Sequence, residues 1–515
     1  MFEPLLLCVP AFIRKSAENR ISVPFPPHIY LRNNSKICQS AVMCPLLSSI
    51  VFVLPLCLSL GYAAKDYGSA LGKSYLFYDA QRSGKLPANN PIPWRGDSAL
   101  NDCVVGGWYD AGDHVKFGLP MASTATILLW SAYKWKDGIQ RAGQLNQFYD
   151  MVKWPLDYFL KAWDPAKQEF VYQVGDATAD HNYWGRPEDM TMARPCLVAS
   201  VANPGSDVAG ETASALALGY LVFKDKGDVA YSNQLLAAAK SLYKFAFDHR
   251  GKYGATTYAS SGYTDELCTA GVWLYRATGN TQYLNEAKTF SESGYIWAYT
   301  LDDKRLPCHA LLYEETKDNA QRLGVIDYMN HWLPGGDQKY TPCGLAWAMK
   351  WGSLRLAANS AFLGLVAADA GIETDKYRKW AVEQINYILG DNSHDGGCYS
   401  YEIGYGTKYP LQPHHRAASC PDRPAPCGYN EANAAGPNPQ VLVGALVGGP
   451  EEMDNYVDSR TDYVLNEVAI DYNSGFTAAL AGILHLQQPI ISQLPTTNVH
   501  ATIRNLSVLF KLLLC

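Results

Sequence analysis

The sequence predicts an all-α fold, because apolar residues recur at helical spacing along most of the chain and strand-like alternation is scarce. Between about residues 65 and 486, such stretches alternate with connections rich in glycine, proline and aromatic residues. The 515 residues are 48% hydrophobic and 18% charged, which supplies enough apolar material for a large core. Length alone would allow two or three domains, but the repeated helix-and-loop pattern favours one all-α domain with long loops.

Nine segments carry this helical pattern. Leu216, Tyr220 and Phe223 illustrate it in one segment, and Leu354 and Ala358 in another, because residues at this spacing share one face of a helix. In chain order, the predicted helices span residues 124–136, 150–163, 210–224, 233–247, 265–278, 281–293, 353–370, 374–389 and 461–483.

Composition excludes one class of partner and favours another. The net charge is −6 and no run of lysine or arginine is present, so we expect no nucleic-acid partner. The chain is rich in aromatic residues, with 13 Trp and 34 Tyr. Such flat rings with polar tips suit either core packing or stacking on sugar rings, and composition alone leaves both open.

The two ends of the chain differ from the middle. Residues 37–64 carry no charge, and an apolar segment over 45–60 leads to small residues at Gly61 and Ala63, as in a secretory signal peptide. We therefore predict that residues 1–63 are an extension plus signal peptide, with Met43 as the working start, cleavage near Ala63 and an extracellular product. A membrane anchor is the alternative, because the uncharged stretch is long enough to span a bilayer, although Pro55 favours cleavage. Residues 487–515 read as a tail outside the domain.

Eight of the 13 cysteines lie between Cys103 and Cys427. In an exported protein some of these should be paired, and Cys420 with Cys427 would close a short proline-rich loop. The remaining pairings stay open, and no Cys/His spacing resembles a zinc site.

The stretch GGWYDAGDHVKFGLPMA holds two aspartates, Asp110 and Asp113, in a glycine-rich loop just before a predicted helix. Three interpretations compete for them. They could cap a turn and the helix start, or bind Mg²⁺ and a diphosphate, for which Lys116 alone is poor provision of positive charge. The third is hydrolytic: one carboxylate activates water while a distant carboxyl group acts as the acid.

A second acidic cluster lies near the C-terminal end, in YVDSRTDYVLNEVAIDYNSGF. Glu467 stands there among tyrosines, and a carboxyl group that is partly removed from water has a raised pKa, which suits a general acid. Between the two clusters, the stretch PHHR offers donors to sugar hydroxyls. This pattern favours the hydrolytic interpretation.

Several motifs in order resemble glycoside hydrolase family 9, the inverting cellulases, and especially secreted animal endoglucanases. They include QRSGKLP, WRGDSAL, YDAGDHVKFGLPMA, YWGRPEDM, NPGSDVAGETA, SSGYTDEL, WLYRATGN, WGSLRLAAN, PHHR and VGGPEEMDNYVDSRTDYVLNEVAIDYNSGF. The resemblance covers nearly all of residues 65–486. It implies an (α/α)6 barrel, with six inner helices ringed by six outer ones and a substrate cleft built by loops at one end.

The resemblance also implies roles for individual residues. The catalytic base matches Asp113, the aspartate that helps to hold the water matches Asp110, and the general acid matches Glu467. Supporting positions match Asp458 and His414. An inverting enzyme needs roughly 6.5–9.5 Å between acid and base, so Asp110 and Asp113 on one loop are not that pair. The implied sugar contacts are Trp184, Trp351, Arg355, Arg416 and Tyr472.

A structural calcium ion is a further implication, because family members bind one at the motif matched by YASSGYTDEL. Oxygen ligands of this kind suit a hard cation. The alternative is a plain loop that caps the following helix. Leu301 and Cys268 depart from residues common in relatives, which makes the metal affinity less certain than catalysis. The matching ligands are Ser261, Gly262, Asp265, Glu266 and Asp302.

The resemblance implies endo-hydrolysis of β-1,4-glucosidic linkages in cellulose and related β-glucans, without a cofactor for catalysis. We expect a monomer whose partner is a β-1,4-glucan, with no stable membrane partner. No separate cellulose-binding module is visible, which points to soluble or amorphous glucan. The alternatives are an inactive carbohydrate-binding homologue and a glycosidase that acts on lichenan or xylan.

Overall fold

The structure, a computed structural model, describes residues 65–254 and 257–487. The predicted signal peptide with its cleavage site, and almost all of the predicted tail, lie outside the described residues. Within them the chain forms fifteen helices: α1 Tyr67–Ala80, α2 Gly118–Arg141, α3 Leu145–Ala162, α4 Ala177–His181, α5 Ser206–Lys226, α6 Val229–Asp248, α7 Thr264–Thr278, α8 Thr281–Thr289, α9 Arg305–Thr316, α10 Asn319–Trp332, α11 Ser353–Asp369, α12 Thr374–Ile388, α13 Arg416–Ser419, α14 Tyr429–Ala432 and α15 Ile470–Leu486. Two short 3-10 turns span Pro187–Asp189 and His394–Gly396.

Six of the helices form a closed inner ring. Helix α2 packs against α5, α5 against α7, α7 against α9, α9 against α11, α11 against α15, and α15 against α2. Inner helices such as α5 and α15 are buried almost all round, as helices surrounded by protein must be. The outer helices α1, α3, α6, α8, α10 and α12 pack against this ring. The predicted all-α fold, an (α/α)6 barrel, is confirmed.

The connections are long at one end of the barrel only. Inner helices lead into outer ones through short turns, such as residues 227–228 and 279–280. Long segments precede the inner helices, and the longest connects α12 to α15. Because the inner helices all begin at the same end, these long segments gather there and build the mouth of the barrel.

Eight of the nine predicted helices are confirmed with shifts at their ends. Six helices were not predicted: α1, α9, α10 and the short α4, α13 and α14. The prediction for 461–483 was wrong at its start, because α15 begins only at Ile470. Residues before it form only isolated turns, such as Asn466 N–H to Asp462 O at 3.1 Å, and they also bond to other loops. His414 donates its backbone N–H to Asn466 O at 2.8 Å, and Gly448 to Glu467 O at 2.8 Å. Glu467 therefore lies in a loop at the mouth of the barrel.

Short strands support that mouth. Strand β3 Glu169–Val174 pairs antiparallel with β1 Lys116–Phe117, β2 Trp163–Asp164 and β4 Cys196–Ala199, and β5 Lys339–Tyr340 pairs with β6 Ala346–Trp347. In the first sheet, Lys116 lies opposite Val174 and Val174 opposite Cys196. The sheet thus anchors the segment that follows Asp110 and Asp113.

Three disulfides cross-link the described residues. Cys420–Cys427 confirms the pairing expected from sequence. Cys103–Cys196 ties the segment before the aspartate loop to β4, and Cys268–Cys308 ties α7 to α9. Among the helices in the described part of the chain, none has the length and apolar character needed to span a bilayer.

Candidate active site

The loop with the two aspartates is held against the loop that contains the two histidines. Arg416 donates its backbone N–H to Gly112 O at 3.1 Å. A Cβ atom on Gly112 would lie 2.2 Å from His414 O, so only glycine allows this approach. The glycine between Asp110 and Asp113 therefore brings both carboxyls close to a loop that lies about 300 residues later in the chain.

The general-acid candidate approaches from the other side of the same loop. Ile470, the first residue of α15, donates its backbone N–H to Asp110 O at 2.8 Å. Glu467 lies three residues earlier, and its Oε2 accepts a bond of 2.6 Å from Trp351 Nε1 and one of 2.7 Å from the Tyr472 hydroxyl. The two acidic clusters that the sequence separates thus meet at one place.

Asp113 is buried beside cationic and hydrogen-bonding groups. Its Oδ2 lies 3.4 Å from His181 Nε2, and its Oδ1 accepts the Ala111 N–H at 3.2 Å. Burial raises the pKa of Asp113, but the His181 bond and the Arg416 charge outweigh it and leave the pKa below its ordinary value. This carboxyl is ionised in the folded protein, as a base must be.

Asp110 has the opposite electrostatic character. It is 2% exposed, and its Oδ2 accepts a short hydrogen bond from the Tyr258 hydroxyl. Burial, together with the negative charge of Asp113, raises the pKa of Asp110 well above its ordinary value. Two carboxyls this close share one negative charge more readily than two, and the neighbours assign that charge to Asp113.

The pKa of Glu467 is also raised. Burial is the main cause, and the hydrogen bonds from Trp351 and Tyr472 offset it in part. A carboxyl group that holds its proton at higher pH than usual can donate that proton to a leaving group. The site therefore contains an ionised carboxylate on one loop and a proton-holding carboxyl group on another.

Asp458 and His414 fasten loops. The carboxylate of Asp458 accepts the backbone N–H groups of Leu411 and Gln412 at 2.7 and 2.9 Å. The ring Nδ1 of His414 lies 2.7 Å from the Arg460 carbonyl. These contacts fit the supporting roles that the resemblance implied for both residues.

The two arginines predicted to contact sugar are engaged with carboxylates. Arg416 is 6% exposed and pairs with buried Asp180. Arg355 Nη1 donates a hydrogen bond of 2.7 Å to Asp471 Oδ2, and the Arg355 guanidinium lies 4.9 Å from the centre of the Tyr472 ring. The Nε atoms of both arginines are buried without a protein partner. Each arginine is therefore held by a carboxylate beside the site.

Aromatic rings form a continuous line across the mouth. Trp351 lies 5.6 Å from Tyr463, which lies 6.1 Å from His414, and Trp184 lies 5.3 Å from His414 and 6.4 Å from Tyr429. Exposed fractions of 44% for Trp351, 52% for Tyr463 and 55% for Tyr429 leave these faces open. Since Trp351 also bonds Glu467, the line passes directly beside the acid candidate.

Sequence reasoning missed five residues of this site. Asp180 and His181 precede a recognised motif by three residues or fewer, and Tyr258 lies within the stretch assigned to calcium. Tyr463 lies in the segment that was predicted as a helix, and Tyr429 begins the short helix α14. The site contacts of these residues cross long sequence separations, so no pattern within one segment pointed to them.

The residues matched to calcium also come together. Asp302 Oδ1 accepts the Ser261 N–H at 2.8 Å, and Asp265 Oδ2 accepts the Lys304 N–H at 2.6 Å. Glu266 is fully buried, and neither of its carboxylate oxygens has a hydrogen-bond partner. Burial, and then the charge of Asp265, raises the pKa of Glu266 well above its ordinary value. A hard cation would satisfy these oxygens, so the residues fit calcium. The carbonyl oxygen of Gly262, another of the matched ligands, accepts a hydrogen bond of 2.6 Å from the Ser260 hydroxyl.

A second group of side chains has a spacing that could suit a metal ion. Across the described ranges, Asp113, Asp180 and His181 place ligand atoms within 4.8 Å of one another. The ion pair of Asp180 with Arg416 already puts a positive charge there. This group is therefore better explained as the surroundings of the base.

Comparisons with known proteins agree with this geometry. The sequence profile described as "Glycosyl hydrolase family 9" matches residues 67–480. The solved endoglucanase of the termite Nasutitermes takasagoensis is 46% identical, with a TM-score of 0.79, over 82% of this chain and 100% of that one. Endoglucanase A of Bacillus pumilus is 43% identical over 84% of this chain and 68% of its own length. Endoglucanase CelQ of Clostridium thermocellum, solved with cellobiose and cellotriose, is 36% identical, with a TM-score of 0.74, over 85% of this chain and 73% of that one.

Proposed function

Because the chain belongs to glycosyl hydrolase family 9, we propose that it cleaves internal β-1,4-glucosidic linkages of cellulose and related β-glucans in one inverting displacement. The observation that carries this proposal is the pair of carboxyls on opposite loops with opposite pKa shifts. The pKa of Asp113 lies below its ordinary value, whereas that of Glu467 lies above its own. An inverting glycosidase needs one of each.

In this mechanism a water molecule between Asp113 and the sugar attacks the anomeric carbon. Asp113 accepts the proton of that water, while Glu467 donates its proton to the leaving glycosidic oxygen. Asp110 positions the water, which is consistent with its buried carboxyl group and its bond from Tyr258. The products are a new α-hemiacetal and a free 4-hydroxyl group, and no covalent enzyme intermediate forms.

The line of exposed aromatic rings supports binding of an extended glucan chain. Trp184 and Trp351 carry the flat faces on which sugar rings stack, and Tyr472 and the two cleft arginines order the polar groups beside them. Trp351 links the two functions, because the same indole that faces the sugar donates to Glu467.

Catalysis in this scheme uses protein carboxyls alone, and calcium has a structural role. The proposed ligands Asp265, Glu266 and Asp302 belong to α7 and to the loop before α9. The ion would neutralise buried carboxylates and tie those two segments together.

We further propose that the enzyme is secreted after cleavage near Ala63 and works as a monomer. Sequencing the secreted protein from its N-terminus tests the cleavage, and a first residue far from position 64 would contradict it. Light scattering would detect a dimer.

The central experiment follows the anomer released from cello-oligosaccharides. Proton NMR of a fresh digest should show the α-anomer before mutarotation. Glu467→Gln and Asp113→Asn should each lower turnover about 10²–10⁴-fold, the range expected for loss of acid–base catalysis. Reducing-sugar release from carboxymethylcellulose gives the rates, and Tyr133→Phe, on an exposed part of α2, is a control. Initial release of the β-anomer, or near-normal hydrolysis by Glu467→Gln, would refute the mechanism.

A further inference from the structure

A buried ion triad lies behind residues 104–114, the catalytic loop that holds Asp110 and Asp113. The carboxylate of Asp102 is 2.8 Å from Lys116 Nζ and 2.7 Å from Arg194 Nε, and Arg194 NH2 adds a second contact at 3.2 Å. The three side chains are 1%, 0% and 9% exposed, respectively. Such buried charges depend on one another, because removal of one leaves the others uncompensated.

Both cations also bind the backbone of the catalytic loop. Lys116 Nζ donates to Val104 O at 2.7 Å and to Gly106 O at 3.0 Å. Arg194 NH1 donates to His114 O at 2.8 Å. These three carbonyls lie on either side of the segment with the two catalytic aspartates. The triad therefore holds the backbone of this loop by hydrogen bonds on both sides of Asp113.

The other side of the triad is attached to rigid structure. Lys116 belongs to β1, which pairs with β3. Arg194 lies two residues before Cys196, which starts β4 and forms the disulfide with Cys103. The sheet and the disulfide thus fix the positions of the two cations, and Asp102 joins them.

We propose that Asp102 is a positioning residue for the hydrolysis. Its carboxylate holds Lys116 and Arg194 in the orientation that fixes the backbone of residues 104–114, and this places Asp113 for attack by water. The proposal rests on the proposed function of Asp113. An error of about 1 Å in the placement of a reacting group can cost roughly 100-fold in rate, so a residue that never touches substrate can control turnover.

The chain contains a matched control at the other end of the barrel. Glu314 also pairs with one lysine and one arginine, at 2.5 Å from Lys134 Nζ and 2.7 Å from Arg276 NH2. Glu314 and Arg276 lie in the last turns of α9 and α7, and Lys134 in the second half of α2. Arg276 Nε also pairs with Glu315 at 2.7 Å, so this cluster contains one more carboxylate than the first. Inner helices end away from the mouth, so it does not contact the catalytic loop.

The test compares Asp102→Asn with Glu314→Gln in the full chain. Both variants should melt at lower temperature. Assayed well below both melting temperatures, Asp102→Asn should lose at least tenfold in kcat on cellotetraose with a KM within about twofold of wild type. Glu314→Gln should keep both constants. Equal kcat losses in the two variants, or a normal kcat in Asp102→Asn, would overturn the proposal.

Two further measurements separate positioning from general stability and from the activity itself. Lys116→Met keeps the Asp102–Arg194 pair but frees the carbonyls of Val104 and Gly106, so kcat should fall there too, even if Asp102→Asn does not fold. Backbone hydrogen exchange over residues 104–114 should accelerate in Asp102→Asn and not in Glu314→Gln. Unchanged exchange would refute the role of Asp102 in holding this backbone. If exchange accelerates in Asp102→Asn but the wild-type protein cleaves no β-glucan, the proposed function is refuted and the structural role of Asp102 stands.

Discussion

Each catalytic carboxyl owes its protonation state to neighbours from other segments of the chain. His181 and Arg416 lower the pKa of Asp113 against the opposing effect of burial, and burial raises that of Glu467. The proposed mechanism requires Asp113 ionised and Glu467 protonated. The activity should therefore fall at low pH as Asp113 is protonated and at high pH as Glu467 loses its proton, which gives a bell-shaped profile.

Trp351→Phe tests this assignment at the level of one hydrogen bond. The indole stabilises the ionised form of Glu467 and so lowers its pKa, whereas phenylalanine keeps an aromatic face without the donor. Loss of the indole N–H leaves burial less opposed, so the pKa of Glu467 should rise further. We expect the alkaline limb of kcat/KM to move to higher pH.

The acidic limb serves as the internal control, because Trp351 does not contact Asp113. It should stay in place in Trp351→Phe and move up in His181→Gln, which removes a group that lowers the pKa of Asp113. A downward shift of the alkaline limb in Trp351→Phe would show that Glu467 is not the acid.

The sequence marked the candidate acid and base more clearly than the residues that surround them. Asp113 and Glu467 stand in motifs that are recognisable within a few residues. His181 and Tyr258 carry no such mark, because their roles arise only when loops from four separate connections meet. The pairing of Arg416 with Asp180 was hidden for the same reason.

At the scale of helices, periodicity identified most elements and failed where long-range bonds compete with local ones. The segment TDYVLNEVA has apolar residues at helical spacing. Its backbone instead pairs with the loops at His414 and Gly448, so the helix begins at Ile470. A pattern within one segment contains no information about such partners. Three of the six unpredicted helices, α4, α13 and α14, have only four or five residues, too few for periodicity to show. The longer three, α1, α9 and α10, have weak amphipathic patterns, because polar and aromatic residues interrupt their apolar faces.

Helices α7 and α9 are joined by a disulfide near the ends that face the mouth, and the proposed calcium ion would join the same region a second time. Cys268–Cys308 links them covalently, and the proposed calcium ligands Asp265, Glu266 and Asp302 lie close to that disulfide in sequence. Removal of the ion would leave two buried carboxylates uncompensated. Chelation should therefore lower the melting temperature before it affects the catalytic groups.

Differential scanning calorimetry with and without excess EDTA measures this effect. A calcium concentration 100-fold above Kd stabilises the native state by about 2.7 kcal/mol. Asp302→Asn should lower the melting temperature and abolish the response to EDTA. An unchanged melting temperature in EDTA, with no metal found by elemental analysis of the purified protein, would contradict the site.

The whole barrel explains why the catalytic groups meet at one end. All six inner helices begin there without a side-chain N-cap, whereas the outer helices α1, α6, α8 and α10 begin on aspartate or asparagine caps. The positive ends of six helix dipoles thus face the mouth, where the carboxyls of the site lie. Long loops are tolerated at that end because the ring beneath them is already closed by α2 and α15.

That closure leads to a prediction about the limits of the folded unit. Helix α15 completes the inner ring, and 15 of its 17 residues are buried. At its contact with α2, a Cβ on Gly138 would lie 2.4 Å from Ala481 O. Burial of one large apolar side chain contributes about 1.5–3 kcal/mol. The large apolar side chains of α15 are Ile470, Phe476, Leu480, Ile483 and Leu484. The free energy gained by burying these five is therefore as large as the net stability of a typical domain, about 5–15 kcal/mol.

We therefore expect a chain of residues 64–487 to keep the melting temperature and the carboxymethylcellulase activity of the full chain, since the ring closes within it. A chain of residues 64–469 should show no cooperative melting transition by circular dichroism and no activity. The two chains differ by 18 residues, so expression level and tail removal are matched between them. A cooperative transition in the shorter chain would mean that five inner helices suffice. Loss of the transition in the longer chain would mean that residues outside 64–487 belong to the folded unit.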